Sequence, residues 1–216
     1  MNRREFSAQA VMTGVAVAAA GWSGIASAQG APVEGTHYVK LNQPVQVPHG
    51  KIEVIEFFWY GCPHCNHFEP SLDAWSKKLP ADVAFRRVPV AFRAEPFVTH
   101  QKIFYALDEM GLIPSMHRKV FYAIHNGRQK MDNPAEISAF MQQNGVDSAK
   151  FMERFNSFSV QTKARQAVKL AADYKIDGVP AMGVQGRYFT SGALAGSTEG
   201  MLVVTDHLID KVRKAG

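Results

Sequence analysis

The strongest hydrophobic run in the chain is KIEVIEFFWY, from Lys51 to Tyr60. Its β-branched and aromatic residues have few polar interruptions, which predicts a buried central strand. From Cys62 to Leu79 the apolar residues recur at intervals of three and four, which predicts a helix. The segment DVAFRRVPVAF, from Asp82 to Phe92, predicts a second strand. The fold is therefore expected to begin as strand, helix, strand.

The middle of the chain, from about Glu95 to Phe158, has no strand pattern. Its apolar residues have helical spacing, and glycine or asparagine residues stand where helices commonly end or start. Four helices are predicted there: Phe97–Met110, Ser115–Asn126, Pro134–Asn144 and Ser148–Phe158. The remaining predicted elements are a helix, a hairpin about Gly186 and a closing helix: Ser159–Lys175, Ala181–Gln185, Arg187–Thr190 and Thr198–Lys214.

This order predicts an α/β fold in which a helical segment interrupts a small sheet. We expect the first part of the α/β domain at residues 29–94 and its second part at residues 159–216. The helical insertion would then occupy residues 95–158.

Residues 1–28 have the pattern of a signal peptide that is removed on export. Arg3 and Arg4 form a basic start, Ala10–Ala20 is uncharged and modestly apolar, and Ala26–Ala28 resembles a cleavage site. The apolar run is too short, and too rich in alanine and glycine, to span a membrane. The paired arginines match a twin-arginine signal only in part, so general secretory export stays open. We expect a periplasmic protein.

The charge of the remaining chain is mild. Without Arg3, Arg4 and Glu5, the 24 basic and 19 acidic side chains become 22 and 18, a net charge of +4. Lysine and arginine form no runs, which argues against nucleic-acid binding. No second apolar segment is long enough to span a membrane.

The two cysteines of the chain stand together in the tetrapeptide Cys62-Pro63-His64-Cys65, where the first strand ends and a helix begins. Pro63 suits the first helical turn. Free backbone N–H groups and the helix dipole would then face the sulfur of Cys62, and His64 adds a further donor. Such settings lower a thiol pKa to roughly 3.5–7.5. Because a stabilised thiolate stabilises the reduced form, we expect an oxidising disulfide, with Cys62 exposed and Cys65 deeper in the helix.

Three interpretations of this pair compete. A redox-active pair fits the strand–helix junction of an exported chain. A structural disulfide is compatible with export, but so short a loop adds little stability. A zinc site would recruit His64 or His67, yet zinc sites usually draw on a second ligand pair, and His117 and His125 stand eight apart, outside the usual spacing. We expect no metal and no cofactor.

The stretches VIEFFWYGCPHCNHFEP and GVPAMGVQGRY, with the helical block between them, closely resemble the DsbA family of the thioredoxin superfamily. The resemblance extends from about Gly35 to the C-terminus. It implies a thioredoxin fold with a helical-domain insertion. It also implies a dithiol oxidase that donates the Cys62–Cys65 disulfide to newly exported proteins through a mixed disulfide.

The resemblance also assigns residues. Cys62 matches the nucleophile, Cys65 the resolving thiol, and Pro63 and His64 the pair that tunes them. Val179 and Pro180 match a cis-proline loop that binds the substrate backbone, and Met182 could line the same groove. Glu56 matches a buried acid with a raised pKa that relays a proton beneath Cys65; the alternative is a carboxylate paired with Arg87. Gly183 replaces the bulky aromatic residue that is frequent at its position.

The expected partners are reduced, unfolded exported polypeptides and a quinone-linked membrane oxidase of the DsbB type that restores the disulfide. We expect a monomer. An isomerase is less favoured, because no dimerisation domain precedes the strand that leads to Cys62. The alternative to an enzyme is a peptide-binding or folding-helper module that would not need its thiols.

Overall fold

A computed structural model describes residues 30–215, so the predicted signal peptide lies outside the described residues. Within this range, residues 31–215 form one compact unit. The proposed domain boundaries at residues 94/95 and 158/159 remain predictions.

Five strands form one sheet in the order β1-β5-β4-β2-β3. The strands are β1 (Val39–Lys40), β2 (Ile52–Phe58), β3 (Val83–Pro89), β4 (Ala181–Val184) and β5 (Tyr188–Ser191). Strand β2 lies between β3, which is parallel to it, and β4, which is antiparallel. Six of the seven residues of β2 are buried, as expected for a strand that is covered on both faces.

Eight helices accompany the sheet in the described part of the chain. They are α1 (Pro63–Ser76), α2 (Phe97–Glu109), α3 (Ile113–His125), α4 (Pro134–Gln143), α5 (Ser148–Phe155), α6 (Phe158–Asp173), α7 (Gly192–Ala195) and α8 (Thr198–Ala215). Helices α2 to α5 stand between β3 and α6, which confirms the α/β fold with a helical insertion.

The predicted elements are present, and the differences have local causes. Helix α5 ends at Phe155 because the Ser157 hydroxyl accepts a hydrogen bond from the Val160 N–H, at 3.2 Å, and so starts α6. Strand β1 has two residues and helix α7 has four, too few for a period to be visible in the sequence.

Each face of β2 contributes to a different part of the core. Val54 packs with α1 and α8 residues such as Leu72 and Leu208. Ile55 and Phe57 point to the other face, where α6 covers them. Phe58, at the end of the strand, packs instead among the side chains of the helical insertion. One strand therefore joins the sheet to the inserted helices just before the cysteine pair.

The structure corrects the expectation for Met182. Its side chain is completely buried in the cluster between the sheet, α1 and α8, so it cannot line an open groove. All four residues of β4 are buried, because both faces of that strand are covered. Met182 therefore fills the core.

Gly183 leaves space for an aromatic ring from another element. A Cβ atom at this position would lie 2.5 Å from Cε1 of Tyr174 and 3.1 Å from Cε2 of Phe57. The Tyr174 ring is fully buried, and its hydroxyl accepts a hydrogen bond of 2.8 Å from the Gly186 N–H in the hairpin turn. The bulky group that the resemblance places on β4 is thus supplied from the end of α6.

Replacement of Gly183 by alanine should therefore destabilise the fold by about 1–3 kcal/mol, since a packed core resists an added methyl group. The free energy of unfolding in urea measures this loss. Gly192→Ala is the matched control, because a Cβ atom there meets nothing within 4 Å. Equal stability of the two variants would contradict the tight packing of Tyr174 against Gly183.

Candidate active site at the end of strand β2

The cysteine pair occupies the junction between β2 and α1. Cys62 is the N-cap of α1, with extended backbone angles of φ −86° and ψ 117°, and Pro63 opens the first turn. The Cys62 Sγ accepts a hydrogen bond from the backbone N–H of Cys65, at 3.4 Å. A sulfur thus takes the place of the oxygen that usually caps a helix. The sequence predicted this placement.

The site lowers the pKa of Cys62 from 9.0 to about 6. The largest cause is a hydrogen bond from the Cys65 thiol, and the backbone N–H groups of Cys65 and His64 act in the same direction, followed by the charge of His64. Burial opposes these effects, because Cys62 is only 8% exposed. The expectation of an exposed sulfur is corrected, whereas the lowered pKa lies within the range typical of reactive cysteines.

Cys65 has the opposite character. It is completely buried, and burial raises its pKa well above the ordinary value, with the Cys62 side chain and the charge of Glu56 acting in the same direction. Pro63 and His64, between the cysteines, are exposed. The pair therefore consists of one sulfur that ionises readily and one that holds its proton.

The Val179–Pro180 loop lies against Cys62. The Val179–Pro180 peptide bond is cis, as the resemblance implied. The Cys62 thiol donates a hydrogen bond of 3.3 Å to the Val179 carbonyl. Val179 is half-buried, and within residues 30–215 its backbone makes no hydrogen bond to another backbone group. Pro180 is buried beneath it, next to the start of β4.

Trp59, which the sequence analysis did not single out, packs against the core cluster that contains both cysteines. The Trp59 ring stacks on Phe97 of the helical insertion, with centroids 4.1 Å apart and planes 15° apart. Gly61 is needed beside it, because a Cβ atom there would collide with the Trp59 ring. In the sequence, the order Trp-Tyr-Gly directly before Cys62 was the pattern that could have pointed to Trp59 and Gly61.

Glu56 points into the core beneath the cysteine pair, on β2. It is completely buried, and burial raises its pKa well above the ordinary value; the charge of Glu69 acts in the same direction, and Arg87 opposes it. The Nε atom of Arg87 lies 3.2 Å from Oε2 of Glu56, but its N–H points to Glu69. Neither oxygen of Glu56 has a hydrogen-bond partner within the described part of the chain. The acid is therefore close to Arg87 and still favours its neutral form, and its role as a proton relay remains a prediction.

Three further buried residues are linked to Glu56 through Arg87, and the sequence analysis gave them no part in proton transfer. Glu69 of α1 accepts two hydrogen bonds from Arg87, both 3.1 Å long. His117 of α3 contacts Glu69 at 3.1 Å through Nε2 and the Tyr60 hydroxyl at 2.8 Å through Nδ1. His117 had been considered only as a metal ligand. In the sequence, Glu69 could have been noticed as an acidic residue on an otherwise apolar helix face.

Residues 30–215 offer neither a metal site nor a membrane-spanning helix. No group of three or more His, Cys, Asp or Glu side chains is arranged to hold a metal ion. No helix in that range is long and apolar enough to cross a membrane.

A thioredoxin-type sheet that presents a cysteine pair at a helix N-terminus, opposite a cis-proline loop, defines the thiol-disulfide oxidoreductases as a class. Within that class, the family model of the DSBA-like thioredoxin domain matches residues 53–198. The chain therefore belongs to the DsbA-like thioredoxin family.

Known proteins agree with this assignment. The chain is 45% identical to the thiol:disulfide interchange protein DsbA of Burkholderia cepacia over 194 residues, 88% of this chain and 91% of that protein. It is 44% identical to DsbA of Pseudomonas aeruginosa strain PAO1 over 182 residues, 84% of this chain and 86% of that protein. The crystal structure of Pseudomonas aeruginosa DsbA superposes with a TM-score of 0.82, covering 85% of this chain and 95% of that chain at 44% identity. DsbA from Xylella fastidiosa gives a TM-score of 0.78 at 34% identity, covering 85% and 98%.

The protein is thus a protein-disulfide oxidoreductase, and the comparisons favour a thiol-disulfide oxidase over a peptide-binding module without redox chemistry. The resemblance in the sequence predicted this class correctly.

Titration of the thiolate absorbance of the reduced protein should give a midpoint near pH 6 for Cys62. Cys65→Ala should raise that midpoint, since it removes the thiol that donates to Cys62. Cys65→Ser, the matched variant, retains a hydroxyl donor and should raise it less. Identical midpoints for the two variants would show that the Cys65 side chain does not stabilise the thiolate.

Proposed function

We propose that the protein donates its Cys62–Cys65 disulfide to reduced, newly exported polypeptides. The observation that supports this direction most strongly is the difference between the two sulfurs, one with a pKa of about 6 and the other with a raised pKa. Reduction of the disulfide releases Cys62 as a stabilised thiolate, so the reduced form is favoured and the disulfide is readily given away.

The transfer takes two exchange steps. A substrate thiolate attacks Sγ of Cys62, the Cys62–Cys65 bond breaks, and Cys65 leaves as a thiolate that takes up a proton. A second substrate thiolate then attacks the substrate sulfur of the mixed disulfide. A substrate disulfide forms, Cys62 leaves as the thiolate, and two electrons have passed from the substrate to the protein.

Glu56 would supply the proton in the first step. A carboxyl group with a raised pKa is protonated near neutral pH and can transfer its proton to the Cys65 thiolate. Cys65 is completely buried, so water cannot readily reach it. In the reverse direction, when Cys65 must attack, the same carboxylate would remove its proton.

The Val179–Pro180 loop would hold the substrate chain. The backbone of Val179 is free of other backbone hydrogen bonds in the described residues and is half-buried beside Cys62, so an extended peptide can pair with it. In the dithiol form, the Cys62 thiol donates to the Val179 carbonyl and competes with the substrate for that acceptor.

The proposal extends to the compartment in which the protein acts and to the partner that restores its disulfide. Residues 1–28 have the pattern of an export signal, which supports action in the periplasm. The reduced protein would be reoxidised by a quinone-linked membrane protein of the DsbB type. We further propose that it works as a monomer.

The lowered pKa of Cys62 accounts for part of the oxidising power. A shift from 9.0 to about 6 stabilises the reduced form at pH 7 by about 1.4 kcal/mol, or about 30 mV for two electrons. A donor at about −180 mV differs from a thioredoxin-type reductant at about −270 mV by about 90 mV. The remainder must come from other differences between the disulfide and dithiol forms.

The midpoint potential of purified protein, residues 29–216, should be less negative than about −180 mV in graded glutathione buffers, as read by trapping of free thiols. A midpoint near −270 mV would reverse the proposed direction. The variant with serine at both positions 62 and 65 is the control: an oxidase loses its activity on a reduced substrate, whereas a peptide-binding module would keep its function.

The midpoint potential should also change its slope near pH 6. Below that pH both thiols take up protons on reduction, so the potential falls by about 60 mV per pH unit. Above it Cys62 remains a thiolate, only one proton is taken up, and the slope should be about 30 mV per unit. A slope of about 60 mV maintained to pH 8 would mean that the pKa of Cys62 is not lowered.

A further inference from the structure

Five polar side chains, four of them buried and Arg87 partly exposed, form a continuous series of contacts between the helical insertion and the acid beneath the cysteines. The Tyr60 hydroxyl lies 2.8 Å from Nδ1 of His117, and Nε2 of His117 lies 3.1 Å from Oε1 of Glu69. Glu69 accepts two hydrogen bonds from Arg87, whose Nε is 3.2 Å from Glu56. His117 is the member of this series that the insertion contributes.

The hydrogen bonds fix the form of His117. An ionised carboxylate only accepts hydrogen bonds, so the proton of the neutral imidazole must be on Nε2, from which it is donated to Glu69. Nδ1 then accepts the hydroxyl proton of Tyr60. This arrangement needs no charge on His117, and burial, the largest influence, lowers its pKa.

In this series of five side chains, two carboxyl groups share one cation. Arg87 carries one positive charge and lies beside two carboxyl groups, so only one of them can be paired as an anion at low cost in the buried site. Glu69 accepts three hydrogen bonds, two from Arg87 and one from His117. Glu56 accepts none within residues 30–215, so the protonated form belongs there.

We propose that His117 is a positioning residue that decides which carboxyl group holds the proton. By donating to Glu69 it keeps that group ionised and Arg87 committed to it, and Glu56 is left neutral as the proton donor for Cys65. This inference rests on the proposed function of Glu56.

Other charged groups face the same residues and act in defined directions. Glu69 and Cys62 raise the pKa of Glu56, and Arg87 lowers it. Arg87 and Arg118 oppose a charge on His117, whereas Glu69 favours one. Glu69 is held below its ordinary pKa by His117 and Arg87, despite its burial. None of these groups replaces the hydrogen bond that His117 donates to Glu69, which is the third that Glu69 accepts.

The test is the infrared band of the protonated carboxyl group in the purified, reduced protein. The band of Glu56 is assigned by its disappearance in Glu56→Gln. In His117→Leu, the pKa of Glu56 read from this band should fall by about one to two units, the equivalent of one charge-assisted hydrogen bond. Glu69→Gln should give a larger fall, because Arg87 is then left with Glu56 alone.

Two gentler variants keep the test decisive if His117→Leu does not fold. His117→Gln retains an N–H donor and should restore part of the parent pKa. Tyr60→Phe keeps the ring and removes the hydroxyl that donates to Nδ1 and supports the tautomer with its proton on Nε2, so it should lower the pKa of Glu56 by less than His117→Leu does. His100→Leu is the matched control: His100 is a histidine of the helical insertion that is only 2% exposed and bonds to the Lys130 carbonyl, and the Glu56 band should not change.

A second readout separates the inference from the function on which it rests. A mixed disulfide between Cys62 and glutathione is prepared, and the rate at which Cys65 resolves it is followed against pH. The inflection due to Glu56 should move to lower pH in His117→Leu by the same shift as the infrared band. If Glu56→Gln leaves this profile unchanged, the proton relay fails. If His117→Leu or Tyr60→Phe leaves the Glu56 band at the parent pKa, the role of His117 is overturned.

Discussion

The hydrogen bond from the Cys65 N–H to the Cys62 sulfur is the contact on which the site depends. It exists because β2 ends directly before α1 and places Cys62 at the N-cap, where backbone N–H groups have no acceptor within the helix. The same turn of helix that offers this N–H to Cys62 carries Cys65 into the core. One local geometry therefore gives the two sulfurs opposite acidities.

The proposed role of Glu56 as the proton donor to Cys65 imposes a second constraint, because its buried carboxyl group must remain neutral. The protein meets it with a single cation, Arg87, shared unequally between two acids. Glu69, on α1, takes both hydrogen bonds from Arg87, and Glu56, on β2, takes neither. The charge balance of the core thus depends on how the helix, the sheet and the insertion pack together.

The sequence predicted the features that follow from neighbours along the chain. The cap at Cys62 follows from Pro63, and the buried strand and the helices follow from their periods. The prediction that Met182 could line the substrate groove was wrong. Strand β4 has only four residues, too few for its sequence pattern to show that both of its faces are buried. The contact of His117 with Glu69 joins residues 48 positions apart, so no local pattern announces it.

The two contacts of the Cys62 sulfur act in different protonation states. The Cys65 N–H stabilises the thiolate, whereas the contact with the Val179 carbonyl needs the thiol proton. With a pKa of about 6, roughly one Cys62 in ten keeps that proton at pH 7. The carbonyl is then mostly without its donor and faces a negative sulfur, so a backbone N–H from a substrate is the better partner. Acidification would favour the thiol and occupy that acceptor. Under the proposed function, the thiolate that would make the disulfide oxidising would also keep the Val179 carbonyl available to a substrate.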